Sequence, residues 1–426
     1  EQLGVEVEFD TASQAIRLSV PARLLPMQRL GHKPPRPTET SPQPQGVFIN
    51  YDLAGRWEQQ GSWGVSLGHD ARVAWGSGTL VTSGQLNATP EGMSYIRGAT
   101  TWYRDDLTRG LSWAVGDVYT PRTPFGGSVN LAGLRVGTDR ALRGGSWSSV
   151  PTLGGLADTR STVEIFLDQQ RVGSYPVGAG PFEITDYPLV QGAGELSLVV
   201  RDEFGRERRS SDLIYLDRDN LPKGRTEWDV AVGLVREDPS GSSYTTPALS
   251  ASWTRGMTDR WTTGAAIQAT PDAQALTLSQ RAVLGRFGAL TADLSASSSP
   301  QGSGHAASVG YEYQSRDWAL RANHTRYSDN YWQLSQELHR DGPGWSVRST
   351  TSLGASFTPR GKPWTVAASL IDVEFDGRER AQRLDLSGRW RKGANDVGVG
   401  ISHDLAQGGT GVFVSWRHTF GNHRAL

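Results

Sequence analysis

Apolar and polar residues alternate strictly over long stretches of this chain. From Gly46 onward, Val47, Ile49, Tyr51 and Leu53 share one face of an extended segment while Phe48, Asn50 and Asp52 share the other. Trp63, Val65 and Leu67 repeat the pattern against Gly64, Ser66 and Gly68. The split returns at Trp228, Val230, Val232 and Leu234 against Asp229, Ala231 and Gly233, and at Leu249, Ala251 and Trp253 against Ser250, Ser252 and Thr254. Near the other end Val397, Val399 and Ile401, then Val412, Val414 and Trp416, do the same. A period of two predicts strands, and Pro90-Glu91-Gly92 and Asp105 to Gly110 carry turn chemistry between them. Roughly six strands fit between residues 46 and 147, and about twelve between 225 and 420, each near the 9 to 11 residues that a tilted strand needs to cross a bilayer.

One stretch departs from this pattern. Between Ser161 and Leu216, Val163 to Leu167 and Leu196 to Val200 are apolar strand runs bounded by Gly180-Pro181-Phe182 and Gly192-Ala193-Gly194, which read as turns. Charge is concentrated from Arg201 to Arg209. The expectation is a small water-soluble β-sandwich at 161–216, joined by linkers at 148–160 and 217–224 and inserted between two parts of a barrel, 46–147 and 225–420. Upstream, Val5 to Phe9 and Ile16 to Val20 suggest a hairpin, the end of a larger unit that closes at residue 30. Residues 31–45 contain five prolines and read as an extended linker, and 421–426 as a tail.

Composition narrows the class. The apolar content is 37% with no run of eighteen apolar residues, which excludes a transmembrane helix; a barrel escapes that test because its strands average a lipid face with a polar lumen face. The resulting fold class is all-β, a transmembrane antiparallel β-barrel of about 18 strands with an inserted β-sandwich. Soluble sandwiches and propellers also alternate, but their strands are shorter and their apolar face is a core. The many ionisable groups on the polar faces here, and aromatics near strand ends (Trp63, Tyr103, Trp228, Trp261, Trp318, Tyr331, Trp332, Trp416), favour a girdled membrane barrel. A net charge of −1 gives no basic field for nucleic acid, and the absence of cysteine removes thiolate metal sites and cysteine nucleophiles.

Enzyme chemistry finds no support in the motifs. The eight histidines lack the i, i+4 spacing of a zinc helix, and no Gly-x-Ser-x-Gly elbow or phosphate-cradling loop stands out. The expectation is therefore no enzyme, no metal and no cofactor. The cluster Arg201, Asp202, Glu203 with Arg206, Arg208 and Arg209 reads as a solvated face or a contact between module and barrel wall.

Several ordered motifs carry a resemblance. Gly116-Asp117-Val118-Tyr119-Thr120, then Phe125-Gly126-Gly127-Ser128, then Leu131 to Asp139 resembles the signature that outer-membrane ushers of the chaperone-usher fimbrial pathway place before their plug domain; its marker residues here are Gly116, Asp117, Thr120, Phe125, Gly133 and Asp139. Val163-Glu164-Ile165-Phe166, Gly180-Pro181-Phe182-Glu183-Ile184, Gly194-Glu195-Leu196 and Arg201 to Gly205 are similar to the plug in order and spacing, and Leu221-Pro222-Lys223-Gly224 to the return into the barrel. Family members usually carry Pro-Pro-Gly-Pro-Phe where Gly178-Ala179-Gly180-Pro181-Phe182 stands here, and usually have a larger barrel, so the chain looks truncated or shortened.

The resemblance implies an outer-membrane usher that takes fimbrial subunits from a periplasmic chaperone and translocates them through a pore gated by an internal plug. The implied partners are chaperone-pilin complexes and outer-membrane lipid, with a homodimer left open and no nucleic acid. Plug and gating residues would include Gly180, Pro181, Phe182, Arg201, Asp202 and Glu203, and hinges Gly154, Gly155, Pro222 and Gly224. The alternative is a plugged porin or substrate-specific diffusion channel, and a third reading, a barrel lipase or protease, would need a serine that an activity-based probe labels.

Overall fold

The structure, a computed structural model, describes residues 6–10, 15–30, 45–57, 62–76, 78–143, 153–184, 191–237, 243–339, 347–377 and 379–419. The expected linker 31–45 apart from its last residue, the first part of the linker at 148–160 and the tail 421–426 lie outside the described residues.

Eighteen antiparallel strands follow one another around a barrel. Six lie between Gly46–Trp57 and Asn130–Thr138, twelve between Thr226–Arg236 and Thr410–His418, and the two groups join where Asn130–Thr138 pairs with Thr226–Arg236. This division matches the strand counts read from the alternation. Every neighbouring pair carries a described register except the junction of Thr410–His418 with Gly46–Trp57. The side chains flanking that junction are among the most exposed in the wall, Tyr51 at 79% and Val414 at 71%.

Register explains why alternation along one strand becomes a continuous face. Val232 sits opposite Leu249, Leu249 opposite Ala269, Leu278 opposite Leu294 and Leu386 opposite Ile401, so apolar residues of neighbouring strands meet on the outer face. The polarity of burial is the reverse of a soluble protein. Leu276, Leu278, Leu294 and Val399 are exposed, whereas Ser250, Thr262, Gln268, Thr277, Ser295 and Ser297 are buried on the inner side. An apolar exterior around a polar interior is stable only where lipid covers the outside. A barrel also meets the membrane's demand that every backbone N–H and C=O be paired within the wall.

The insertion consists of two sheets that share one buried core. Its larger sheet runs in the order Gln170–Val177, Ser161–Leu167, Gly192–Asp202, Glu207–Leu216. The smaller one consists of Leu153–Ala157, Gly180–Ile184 and Gln28–Leu30, the last contributed from before the barrel. Val163, Ile165, Leu196, Leu198 and Ile214 from the first sheet meet Ala157, Phe182 and Ile184 from the second in one buried core, with Leu30 and Leu153 against it. Two expectations are corrected here. Gly180-Pro181-Phe182 is a strand and not a turn, because Phe182, 1% exposed, anchors the core and its backbone must run in the sheet to do so. Gly154 and Gly155 likewise lie in the strand Leu153–Ala157, not in a linker; a Cβ at Gly155 would collide with the Phe182 ring.

Both ends of the module leave the barrel at one rim, where most connections are short: 106–111, 258–261, 314–318 and 392–395. Upstream of the barrel, Glu6–Asp10 and Ala15–Ser19 form the expected antiparallel hairpin.

Candidate functional site

The barrel interior at the end away from the module is not simply wet. A glycine begins the arrangement: Gly116 takes φ 118°, a value that favours glycine, and a Cβ there would run into the Thr100 carbonyl oxygen. The bend delivers Asp117 to the inside, where its buried carboxylate accepts hydrogen bonds from Arg97 (2.6 Å), the Thr100 N–H (2.7 Å) and the Tyr244 hydroxyl (2.5 Å). Arg236 lies 3.9 Å from the same carboxylate and donates to the backbone carbonyls of Arg97 and Gly98 at 2.7 and 3.0 Å. One carboxylate thereby ties strands four positions apart around the wall. A buried charge is tolerated when this many donors surround it.

The loop after Tyr119 folds inward and closes on itself. Thr120 accepts the Val129 N–H on its hydroxyl and the Ser128 hydroxyl on its carbonyl. Phe125 then meets the rings of Tyr327 and Tyr331 edge-on at about 6 Å. These tyrosines lead into a second inward segment whose short helix spans Leu334–His339. The Tyr331 hydroxyl donates to Ser295, the Trp332 N–H to Ser297 and the Leu334 N–H to Gln268. Trp332 and Leu334 pack with Val118, Val129, Leu131, Ala231 and Val235 in an apolar cluster. The girdle assignment of Tyr331 and Trp332 is therefore corrected: both are buried inside, drawn in by those serines and by Trp332 Nε1 donating to Glu337 at 3.1 Å.

The remaining signature residues shape the junction with the module. Gly133 faces Gly233 where two strands approach so closely that a Cβ would strike the Val232 carbonyl. Asp139 accepts from the Ala141 N–H (2.7 Å) and the Ser112 hydroxyl (3.1 Å), opening the short helix Arg140–Arg143. Arg140 then pairs with Glu227 through two nitrogens, and Arg143 donates to the Thr226 carbonyl. The chain leaving the barrel is thus bonded to the chain returning to it.

The return segment is equally fixed. Asn220 donates to the Asp259 carbonyl, Leu221 N–H to Thr262, Lys223 N–H to the Asp259 carboxylate and Gly224 N–H to the Gly256 carbonyl at 2.7 Å. Pro222 and Gly224 sit within this bonded run, with Gly224 at φ 79°. Among the described residues, the module meets the barrel at the rim. Tyr215 stacks on Tyr313 at 6.2 Å, Gly192 abuts the Gln314 carbonyl, and Asp217 binds Arg281. Arg201, Asp202 and Glu203 are brought together with Arg206 and Glu207 at an exposed tip. There Asp202 accepts from the Phe204 and Arg206 N–H groups and from the Arg206 guanidinium, and Arg201 pairs with Glu207. Burial works against the Asp202 charge, but these donors outweigh it and hold its carboxyl below the usual range. No grouping of three metal-ligating side chains occurs among the described residues.

Sequence reasoning missed Arg97, Tyr244, Arg236 and the 327–339 segment. Their spacing along the chain carries no signal, because the barrel's curvature brings them together.

Comparisons with known proteins agree with this geometry. A family model described as "Outer membrane usher protein" matches residues 102–420, taking in both the module and most of the wall. The outer membrane usher protein FaeD of Escherichia coli is 24% identical over 387 residues, covering 85% of this chain and 45% of FaeD. The F1 capsule-anchoring protein of Yersinia pestis is 26% identical over 215 residues, 47% of this chain and 25% of that protein. The chain therefore spans less than half the length of these relatives. Among solved structures, an E. coli P pilus tip assembly intermediate containing PapC, PapD, PapK and PapG aligns with TM-score 0.68 at 16% identity, over 96% of this chain and 54% of the other. The PapC translocation pore aligns with TM-score 0.56 at 16% identity, over 87% and 80%. With a family model matched across wall and insertion alike, this chain belongs to the outer membrane usher family, whose place is the bacterial outer membrane.

Proposed function

We propose that this chain forms the translocation pore of a pilus-assembly usher, passing subunits delivered by a periplasmic chaperone across the outer membrane. The observation that carries this reading is a membrane barrel whose wall is interrupted by a folded sandwich tethered at one rim. A simple diffusion channel has no need of a folded domain bonded at both ends to the same edge. The relatives' descriptions supply the class of cargo. By the general rule that barrel turns facing the periplasm are short, the module rim is the periplasmic side, where a chaperone-bound subunit would arrive. The module acts as the gate, and no nucleotide is required, since folding and strand exchange of the subunits provide the driving force.

The test is reconstitution of the purified protein in liposomes with a chaperone–subunit complex. Transfer of subunits to the protein, with chaperone released, is expected, and a variant lacking residues 153–216 should show altered conductance in planar bilayers. Passive solute flux with no response to the chaperone–subunit complex would favour the diffusion-channel reading instead.

A further inference from the structure

The smaller sheet of the module is completed by a segment that belongs to neither the module nor the barrel. Gln28–Leu30 runs parallel to Gly180–Ile184, with Gln28 opposite Phe182, Arg29 opposite Glu183 and Leu30 opposite Ile184. Four further contacts make the pairing specific. The Gln28 side chain accepts from the Gly178 N–H at 2.8 Å and donates to the Gly178 carbonyl at 3.1 Å, clasping the loop that leads into the strand. Arg29 lies 3.7 Å from Glu183. Leu30 packs on the module core. Leu25 lies beside Gly180, whose φ of 127° and missing side chain leave room for the Leu25 side chain.

We propose that the edge of Gly180–Ile184 is a strand-accepting slot for an extended segment of the type Gln-cation-Leu, and that residues 28–30 occupy it as a releasable latch holding the module at the rim. The inference rests on the reading of the module as the pore's gate. Each position of the segment has a matched receptor: an amide clasp on exposed backbone, an acidic neighbour and an apolar seat. The pairing is short and parallel, the weaker kind of strand pairing, so it can be exchanged without unfolding the sandwich. Chain connectivity then couples two motions. Residues 28–30 lie close before the first barrel strand at Gly46, so whatever moves the chain upstream of the barrel pulls on the gate, and the gate is freed to approach the lumen when the latch lets go.

The chain has no cysteine, so a designed pair reports cleanly. Arg29→Cys with Glu183→Cys should oxidise to a disulfide in high yield in the intact protein in membranes, since directly paired strand neighbours fall within disulfide reach. Adding Gln28→Ala should lower the yield about five- to tenfold, the size expected for the lost hydrogen bonds. A yield no higher than that of Arg29→Cys with the remote Arg201→Cys would overturn the slot. In planar bilayers the oxidised pair should suppress closures that return on reduction; unchanged gating in both states would overturn the latch. The variant lacking 153–216 tests the parent reading separately. If it still closes as the full chain does, the gate reading fails, while the cross-link yield still decides the slot.

Discussion

Arg281 donates two hydrogen bonds to Asp217, at 2.5 and 2.9 Å, and so fastens the end of the module to a strand of the barrel wall. The Asp217 side chain is fully buried, and Glu312 and Asp219 lie within 3.7 Å of the same guanidinium. The sequence shows only an arginine and an aspartate sixty-four positions apart.

Removing one member leaves the other charge buried and unpaired, which costs about 3–5 kcal/mol. Arg281→Ala should therefore detach the return linker from the rim, seen as faster proteolysis near residue 217 in the folded barrel. Arg281→Ala combined with Asp217→Asn should recover part of the loss.

Tyr215 offers a pH-dependent readout of docking. Burial, and then the carboxylates of Glu312 and Asp217, push its phenol up to about 12, with Arg281 acting in the opposite direction. The ordinary value is about 10. A raised value means that the docked state favours the neutral phenol, so its contribution is complete below about pH 10 and is lost as pH rises through about 12. Tyrosinate absorbance compared with Tyr215→Phe should show one tyrosine titrating late; a titration at the ordinary value would mean that the Tyr215–Tyr313 stack does not form in solution.

Among the described residues Phe182 is the largest of the fully buried side chains, and it belongs to the module core. Phe182→Ala should destabilise the sandwich by about 3–5 kcal/mol while the barrel keeps its heat-resistant migration on gels. Loss of both together would show that the module and wall fold as one unit.

Gly133 and Gly388 separate a required glycine from a dispensable one. A side chain at Gly133 would meet the Val232 carbonyl, whereas Gly388 has open space around it. Gly133→Ala should sharply reduce the yield of folded barrel, and Gly388→Ala should leave it unchanged.

Leu386 belongs to the outer belt, with Val399 and Ile401 beside it. Leu386→Arg should cost about 2–4 kcal/mol if it sits near the midplane, measured by urea unfolding in lipid vesicles. An equal cost for a charge placed on the inner face, as in Ser387→Arg, would contradict the assignment of the faces.

How much could be read in advance follows from what is local. The eighteen strands, their division around an insertion and the outward placement of Val232, Leu249 or Leu386 all follow from a period of two, because strand geometry alternates side chains wherever the strand sits. The sandwich was legible from its apolar runs, but Gly180-Pro181-Phe182 was misread as a turn. Glycine and proline mark turns on average, and only the Phe182 packing partners reveal that the strand continues through them.

What the sequence determined by itself is therefore the inventory of barrel strands and the side of each that faces lipid. The tertiary structure alone decided that Asp117 meets Arg97, Arg236 and Tyr244, that Tyr331 and Trp332 turn inward, that the module rests at the rim, and that residues 28–30 complete its sheet. These are contacts between segments far apart in the chain. Their existence depends on barrel curvature and on which edges are left free after local pairing, and neither quantity is encoded in any single window of residues.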